Sequence, residues 1–511
     1  MELKLTPGKI TLSQLRRIAR EAPTLVLATD CRARVDAGAA IVQSVLDRGD
    51  TVYGLNTGFG AMARTRIDAE SLRGLQRNLV LSHCTGTGEP LCTDEVVPLV
   101  LSLKVIALAS GNSGVRWELV EALLALHNHA IWPVIPAKGS VGASGDLAPL
   151  AHLAAVLLGV GEVRCNGELL SAAEGLERAG LEPIELGPKE GLALLNGTQV
   201  STALALRGLF AIEDTFAGAM IAGALSVDAA LGSDEPFDSR IQALRGQSGQ
   251  SAVAECYRGL LADSKIRESH LDCDKVQDPY SLRCQPQVMG ACLDQIAHAA
   301  GILKREANAV TDNPLVFPDE GDILSGGNFH AEPVAMAADN LALAAAEIGA
   351  MSERRLALLV DPALSGLPPF LVEEGGLNSG FMMAQVTAAS LASENKSLAH
   401  PASVDSIPTS ANQEDHVSMA TFAARRLGEM ATNTATITTL ELLAACQGIE
   451  FHRPLRSSAP LERAVTAVRE IVDPWGRDRY FAPDIAAARE LLAEGLFHEL
   501  AGNLLPSLAG N

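Results

Sequence analysis

The segment KGSVGASGDLAPLAH, residues 138–152, places three glycines and two serines in eight positions, directly before an apolar run. Neither of the loops that cradle phosphates, G-x-G-x-x-G and G-x4-G-K-[ST], matches the glycines at 139, 142 and 145. A hydrolase nucleophile elbow, G-x-S-x-G, requires a second glycine where Asp146 stands. These mismatches leave two interpretations of the segment.

The first interpretation is a tight turn, in which Asp146 or Ser144 caps a helix that begins near Leu147. The second is autocatalytic cyclisation of the backbone, in which the amide nitrogen of Gly145 attacks the carbonyl carbon of Ala143. Glycine has no Cβ to obstruct the attack, and it tolerates the strained conformation that the ring requires. Ser144 then loses its hydroxyl as water, which leaves a methylidene group. The product is an electrophile that no ordinary side chain provides.

GSVGASGDLAPLAH resembles the signature of the aromatic amino-acid ammonia-lyases, whose Ala-Ser-Gly triplet forms 4-methylideneimidazol-5-one (MIO). The GSVG and LAPLAH flanks resemble the histidine-specific members most, and the resemblance extends over nearly the whole chain. It implies that Ala143, Ser144 and Gly145 form the MIO, and that neither an external cofactor nor a metal is used. The resemblance therefore favours cyclisation over the capped turn.

The resemblance also implies a catalytic base and an anchor for the substrate carboxylate. Tyr53, in YGLNTGFG, would remove the β-proton. Because a phenol titrates near 10, it needs positive surroundings, which helix N-termini supply in the family. Arg283, in QDPYSLRCQPQ, would bind the carboxylate through two parallel hydrogen bonds. Gln277 and Tyr280 precede it at steps of three, and we expect all three to share one side of an irregular segment, since Pro279 and Pro286 discourage a regular α-helix.

Four further site residues follow from the resemblance. Asn196, in LLNGTQ, would bind the MIO or the substrate by a hydrogen bond. Phe329, in SGGNFHAEP, and Met382, in NSGFMMAQ, would form apolar walls. Glu414, in TSANQEDHVSM, would face the substrate ring or act in proton transfer.

Ser82 and His83, in LVLSHCTGTG, occupy the pair of positions that tracks the accepted aromatic ring in related lyases. Phenylalanine-specific members carry apolar residues there, whereas His83 can bind an imidazole by a hydrogen bond. A tyrosine-specific relative also carries histidine at this point, and Glu414 favours histidine as the substrate. The implied reaction is the non-oxidative deamination of L-histidine to trans-urocanate and ammonia, the first step of histidine degradation. The alternatives are a tyrosine ammonia-lyase, an MIO-dependent aminomutase, and a non-catalytic helical scaffold with an uncyclised turn.

Composition and periodicity predict the elements that position these residues. Aromatic residues are only 4% of the chain, and its apolar residues are mainly alanine and leucine, which favours packed helices. Apolar residues recur every three or four positions between His330 and Val360, with Arg355 as the one exception. Long helices are also predicted over 199–230, 288–309, 384–398 and 417–447.

These patterns predict a mainly α-helical fold built on a bundle of long helices, and the resemblance implies an ammonia-lyase/fumarase-like architecture. We expect a glycine-rich site region over 1–200, the central bundle and tetramer core over 201–440, and a C-terminal helical region over 441–511. The resemblance implies a homotetramer whose sites combine residues from three subunits.

The charge and the cysteines limit the partners and the compartment. A net charge of −21 argues against nucleic acids and anionic membranes as partners. Nine scattered cysteines without a C-x-x-C pair fit neither a disulfide framework nor a structural zinc site. The N-terminal MELKLTPGKI lacks the pattern of a signal peptide. We therefore expect a soluble, cytoplasmic protein.

Overall fold

A computed structural model describes residues 2–58, 60–62, 64–92, 95–271, 275–501 and 504–508 of the 511-residue chain. Helices dominate these ranges, as the alanine- and leucine-rich composition predicts. The α-helices are α1 Leu12–Glu21, α2 Cys31–Arg48, α3 Leu72–His83, α4 Val96–Leu108, α5 Trp117–Asn128, α6 Leu147–Leu157, α7 Ala172–Arg178, α8 Glu190–Leu195, α9 Gln199–Ala229, α10 Ser239–Arg245, α11 Ser248–Leu261, α12 Lys265–Glu268, α13 Tyr280–Arg283, α14 Gln285–Ala307, α15 Glu332–Val360, α16 Pro362–Ser365, α17 Met382–Leu398, α18 Ala420–Glu450, α19 Ala459–Arg469, α20 Ala482–Ala493 and α21 His498–Ala501.

The strands are short and pair locally. They are β1 Glu2–Leu5, β2 Thr24–Leu27, β3 Thr87–Pro90, β4 Trp132–Pro133, β5 Pro136–Lys138, β6 Glu162–Cys165, β7 Glu168–Ser171, β8 Leu315–Phe317 and β9 Asp322–Leu324. β1 and β2 are parallel, whereas β3–β5, β4–β6–β7 and β8–β9 are antiparallel. None of these small sheets forms the core, which lies among the long helices.

The core is a bundle in which α18 packs along α9 and α15, and α14 and α17 pack on α15 from outside. α9 is buried along its length except at Arg207 and Ala211. By length and hydropathy, α9 and α15 would both be able to cross a membrane, but 94% and 67% of their most apolar windows are buried inside the fold. Their apolar surface is therefore used in packing between helices.

Arg355, the exception in the apolar stripe of α15, is completely buried and ion-paired. Its Nη2 donates to Oε2 of Glu441 on α18 at 2.8 Å. Oε1 of the same carboxylate accepts from the Ser226 hydroxyl of α9 at 2.8 Å. A charged residue interrupts the pattern here because it links the three central helices.

The predicted long helices are confirmed, with shifts at their starts that have local causes. α18 begins three residues later than expected because the residues before it bind the glycine-rich segment. α14 begins earlier, because Pro286 lies in its first turn, where a missing N–H breaks no hydrogen bond. The expectation of an irregular chain around Arg283 is wrong, since Pro279 is the N-cap of the single-turn helix α13.

Candidate active site

Two long helices begin against the carbonyl groups of the glycine-rich segment. At the start of α15, the Ala331 N–H donates to the carbonyl of Gly142 at 3.1 Å. Just before α18, the Ser418 hydroxyl donates to the same carbonyl at 3.0 Å, and the Met419 N–H donates to that of Val141 at 2.9 Å. The segment is therefore fixed by groups that precede two helices, whose N-termini carry partial positive charge.

Asp146 joins the segment to α9 and α18. This fully buried carboxylate accepts from the Ser201 N–H at 2.7 Å and from the hydroxyls of Ser140 and Thr421 at 3.1 and 2.6 Å. Burial raises the pKa of Asp146, and these hydrogen bonds oppose the rise. α6 does begin at Leu147 as predicted, but the Asp146 side chain does not cap it. The capped-turn interpretation is therefore wrong in its assignment of Asp146.

The turn itself requires glycine at two positions. Gly142 and Gly145 have φ angles of +68° and +70°, a left-handed region that other residues rarely adopt. A Cβ on Gly145 would lie 2.2 Å from the carbonyl oxygen of Gly197, and one on Gly142 would lie 2.3 Å from the Ser418 hydroxyl oxygen. The backbone around the triplet therefore has space for glycine alone at both positions.

Ser144 lies between two polar side chains from distant parts of the chain. Its hydroxyl donates to Oε1 of Glu414 at 2.8 Å, so Ser144 does not act as a helix cap either. Its carbonyl accepts from Nδ2 of Asn196 at 3.1 Å. The hydroxyl that cyclisation would eliminate and the carbonyl that the ring would retain thus have separate partners.

These residues line a cavity of about 860 Å³. Seven of the residues predicted from the sequence meet there: Tyr53, His83, Ala143, Ser144, Asn196, Phe329 and Glu414. Ser82 lies there too, beside side chains that were not predicted: Met62, Leu75, Asn78, Leu79, Leu147, Leu192, Leu195, Asn313, His330, Ser410, Ala411, Gln413, Asp415 and His416. The lining combines apolar and polar side chains, as suits an amphipathic amino acid with an aromatic ring.

The tautomer of His83 follows from its contact with the backbone. Its Nδ1 lies 2.8 Å from the Leu79 carbonyl oxygen, which can only accept a hydrogen bond. Nδ1 therefore carries the proton, and in the neutral ring Nε2 is the acceptor. An acceptor nitrogen in this cavity suits an N–H group of a substrate ring.

The five remaining predicted site residues do not line this cavity: Gly145 lies in the turn beside it, and the other four lie elsewhere in the chain. Tyr280 and Arg283 share a side of α13, with the guanidinium carbon 4.8 Å from the ring centre, and Tyr280 is 70% exposed. Gln277 is exposed in the loop before α13, and Met382 is the first residue of α17. Within one chain, the predicted site thus falls into two groups.

Lys104 is a residue near the site that the sequence interpretation missed. Its completely buried Nζ donates to the carbonyls of Asn196 and Ala193 at 2.7 and 3.2 Å. Burial lowers the pKa of Lys104 to about 7. A single lysine in the apolar run VVPLVLSLKVIAL of α4 was the available signal, because a buried lysine requires polar partners.

Comparisons with known proteins agree over nearly the full length. The family model described as "Aromatic amino acid lyase" matches residues 10–470. A histidine ammonia-lyase of Burkholderia lata is 62% identical over 499 residues, 98% of this chain and 98% of that protein. The crystal structure of histidine ammonia-lyase from Trypanosoma cruzi superposes with a TM-score of 0.91 at 41% identity, covering 100% of this chain and 96% of that one. The crystal structure of tyrosine aminomutase from Streptomyces globisporus superposes with a TM-score of 0.91 at 34% identity, covering 98% of each chain.

Proposed function

The chain belongs to the aromatic amino acid lyase family, and we propose that it is an ammonia-lyase that converts L-histidine to trans-urocanate and ammonia. The observation that carries this proposal is the position of Ser144, whose hydroxyl and carbonyl are held by Glu414 and Asn196 in a cavity that also contains Tyr53 and His83. The high identity with histidine ammonia-lyases along the whole chain supports histidine as the substrate.

We propose that Ala143, Ser144 and Gly145 cyclise to MIO, the group on which this family depends in general. The residues fit this group, because the turn admits only glycine at 145 and Asn196 holds the carbonyl that would become the ring oxygen. When formed, MIO supplies an electrophile that activates the amino group as a leaving group.

The chain's own side chains would bind the ring and move the proton. The Nε2 of His83 and the carboxylate of Glu414 are both acceptors, so each suits an N–H of the imidazole ring, which carries one N–H when neutral and two when protonated. Tyr53 would take the β-proton. The N-termini of α15 and α18 beside the triplet favour negative charge in the cavity, which supports a tyrosine in that role.

We further propose that Gln277, Tyr280, Arg283 and Met382 complete the site of a neighbouring subunit in a homotetramer. They lie apart from the cavity of their own chain, and the described residues that line the cavity include no arginine or lysine to bind a carboxylate. The long helices also leave apolar side chains exposed that a partner would cover: Met336, Leu343, Met383, Val386 and Phe422.

The cysteines support a cytoplasmic location for the protein. The eight cysteines of the described ranges are free thiols, as in a reducing compartment, and Cys273 lies outside those ranges.

Subunit mixing tests the shared site. Tyr53→Phe and Arg283→Leu variants should each be nearly inactive alone. If the two residues of one site come from different subunits, co-expression yields some intact sites, roughly a quarter of the total when subunits assort randomly. If both come from one subunit, no mixed tetramer contains an intact site, and recovery fails.

The reaction itself is tested by adding L-histidine to the purified protein and following urocanate by its ultraviolet absorbance, with L-tyrosine and L-phenylalanine in parallel. Urocanate formation well above the cinnamate products is the expected result. Formation of coumarate from tyrosine, with no urocanate from histidine, would overturn the assignment of histidine as the substrate. Detection of β-histidine without free ammonia would instead establish an aminomutase. An intact mass without the loss of two waters, about 36 Da, would contradict MIO formation.

A further inference from the structure

Glu414 lies at the end of a six-residue loop that closes on itself. The Thr409 N–H donates to the Glu414 carbonyl at 2.9 Å, and the Glu414 N–H donates back to the Thr409 carbonyl at 3.4 Å. The Thr409 hydroxyl also donates to Oε2 of the Glu414 carboxylate at 2.6 Å. Backbone and side chain of these two residues therefore hold the ends of the loop together.

The loop between them is strained. Ser410, Ala411 and Asn412 have φ angles of +49°, +52° and +65° in succession, although none is glycine. Each left-handed residue of this kind costs about 1 kcal/mol or more. Such a run persists only where surrounding contacts enforce it, and the pairing of Thr409 with Glu414 is the contact that closes it.

The two oxygens of the Glu414 carboxylate have different partners. Oε2 accepts from Thr409, and Oε1 accepts from the Ser144 hydroxyl. A glutamate side chain has three rotatable bonds, and its neighbours Asp415 and His416 are exposed. Cyclisation would remove the Ser144 hydroxyl, which leaves the Thr409 hydroxyl to hold the carboxylate. Without the Thr409 hydroxyl, the carboxylate of the cyclised protein would be free to rotate away from the triplet.

We propose that Thr409 is a positioning residue that fixes the plane of the Glu414 carboxylate, so that one oxygen faces the triplet and the substrate. The proposal rests on the proposed function, because it assigns Thr409 an effect on turnover that acts through Glu414. Thr409 itself is not among the described residues that line the cavity.

A double-mutant cycle tests this dependence. Thr409→Val removes the hydroxyl and keeps the shape, Thr409→Ser keeps the hydroxyl, and Glu414→Gln removes the charge that the hydroxyl orients. Thr466→Val, at an exposed threonine of α19, is the matched control. Intact mass gives the cyclised fraction of each variant, and kcat is expressed per cyclised subunit. Thr409→Ala is measured beside Thr409→Val, so that if one of the two variants misfolds, the other still reports the effect of removing the hydroxyl.

We expect T409V to lower kcat by about 10- to 100-fold, because a misplaced catalytic group loses rate on that scale. T409S and T466V should stay within about threefold of the wild type. The T409V/E414Q variant should match E414Q within about twofold, since Thr409 affects turnover only through the Glu414 carboxylate, which E414Q already lacks.

Three outcomes would overturn the proposal: a wild-type kcat in both T409V and T409A, an equal loss in T409S and T409V, or an equal loss from T409V in the wild-type and E414Q backgrounds. In the same series, the activity of the wild type towards histidine and tyrosine tests the proposed function. If the wild type accepts tyrosine and not histidine, the proposed function fails, and the cycle still tests Thr409 with tyrosine as substrate.

Discussion

Replacement of Gly145 by alanine tests whether the triplet depends on the contact between two backbone segments. The added Cβ would lie 2.2 Å from the carbonyl oxygen and 2.4 Å from the carbonyl carbon of Gly197. Both atoms belong to backbone, so a rotamer change cannot relieve the clash. The two segments must move apart, although the Asp146 N–H is bonded to the Gly197 carbonyl at 2.8 Å.

The expected loss of stability has two parts. The left-handed φ of +70° at residue 145 costs alanine roughly 1–2 kcal/mol. Separation of the segments breaks the bond from Asp146 to Gly197 and the bond from Asn196 to Ser144, each worth about 1 kcal/mol. G145A should therefore lose roughly 3–4 kcal/mol of unfolding free energy by the sum of these effects.

Gly167 provides the matched control. It lies between β6 and β7 with a φ of +81°, and a Cβ there would meet no atom within 4 Å. G167A therefore carries the backbone strain without the clash, and should lose roughly 1–2 kcal/mol. Urea unfolding followed by circular dichroism at one protein concentration compares the two variants with the wild type. Intact mass reports cyclisation, which G145A should lack and G167A should retain. If G145A matches G167A in stability and still loses about 36 Da, the reasoning is refuted.

Two further predictions concern buried charge and pH. Arg355→Met should destabilise the fold by about 3–5 kcal/mol because it leaves the Glu441 carboxylate buried and unpaired, and an R355M/E441M double variant should recover most of that loss in urea unfolding. Burial lowers the pKa of His127 from 6.5 to about 4, so the unfolded chain binds a proton between these values that the folded chain excludes. The free energy of unfolding should therefore fall, by up to roughly 3 kcal/mol, as the pH drops from 6.5 to 4. If the unfolding free energy of an H127F variant falls as much as that of the wild type over this range, His127 is not the cause.

The long helices were predictable because their packing follows a local period. The apolar positions of 330–360 recur along the chain, so the sequence alone defines the buried face of α15. The sequence does not show why Arg355 interrupts that face, because Glu441 lies 86 residues away. The effect of Pro286 was also misjudged. A proline breaks a helix in its interior but is tolerated in the first turn, and Pro286 lies in the first turn of α14. The proposed division at residues 200 and 440 stays a prediction.

The site was predictable only in part. Ala143, Ser144 and Gly145 were identified because the reacting atoms are consecutive in the chain. Asp146 was misjudged because its partners, Ser201 and Thr421, belong to helices that begin 53 and 274 residues after it in the chain. Thr409 was missed because its hydroxyl resembles that of any loop threonine until the loop closes on Glu414.

The contacts of the glycine-rich segment fix the backbone around the carbonyl that the proposed cyclisation attacks. The carbonyls of Val141, Gly142 and Ser144 each accept a hydrogen bond from a fixed donor. Among the described residues, no donor contacts the carbonyl oxygen of Ala143, the carbonyl whose carbon the proposed cyclisation requires. That oxygen leaves as water in the proposed cyclisation, so no hydrogen bond to it has to break. The fold thereby holds the backbone on both sides of the reacting atoms, which lowers the entropy lost in ring closure.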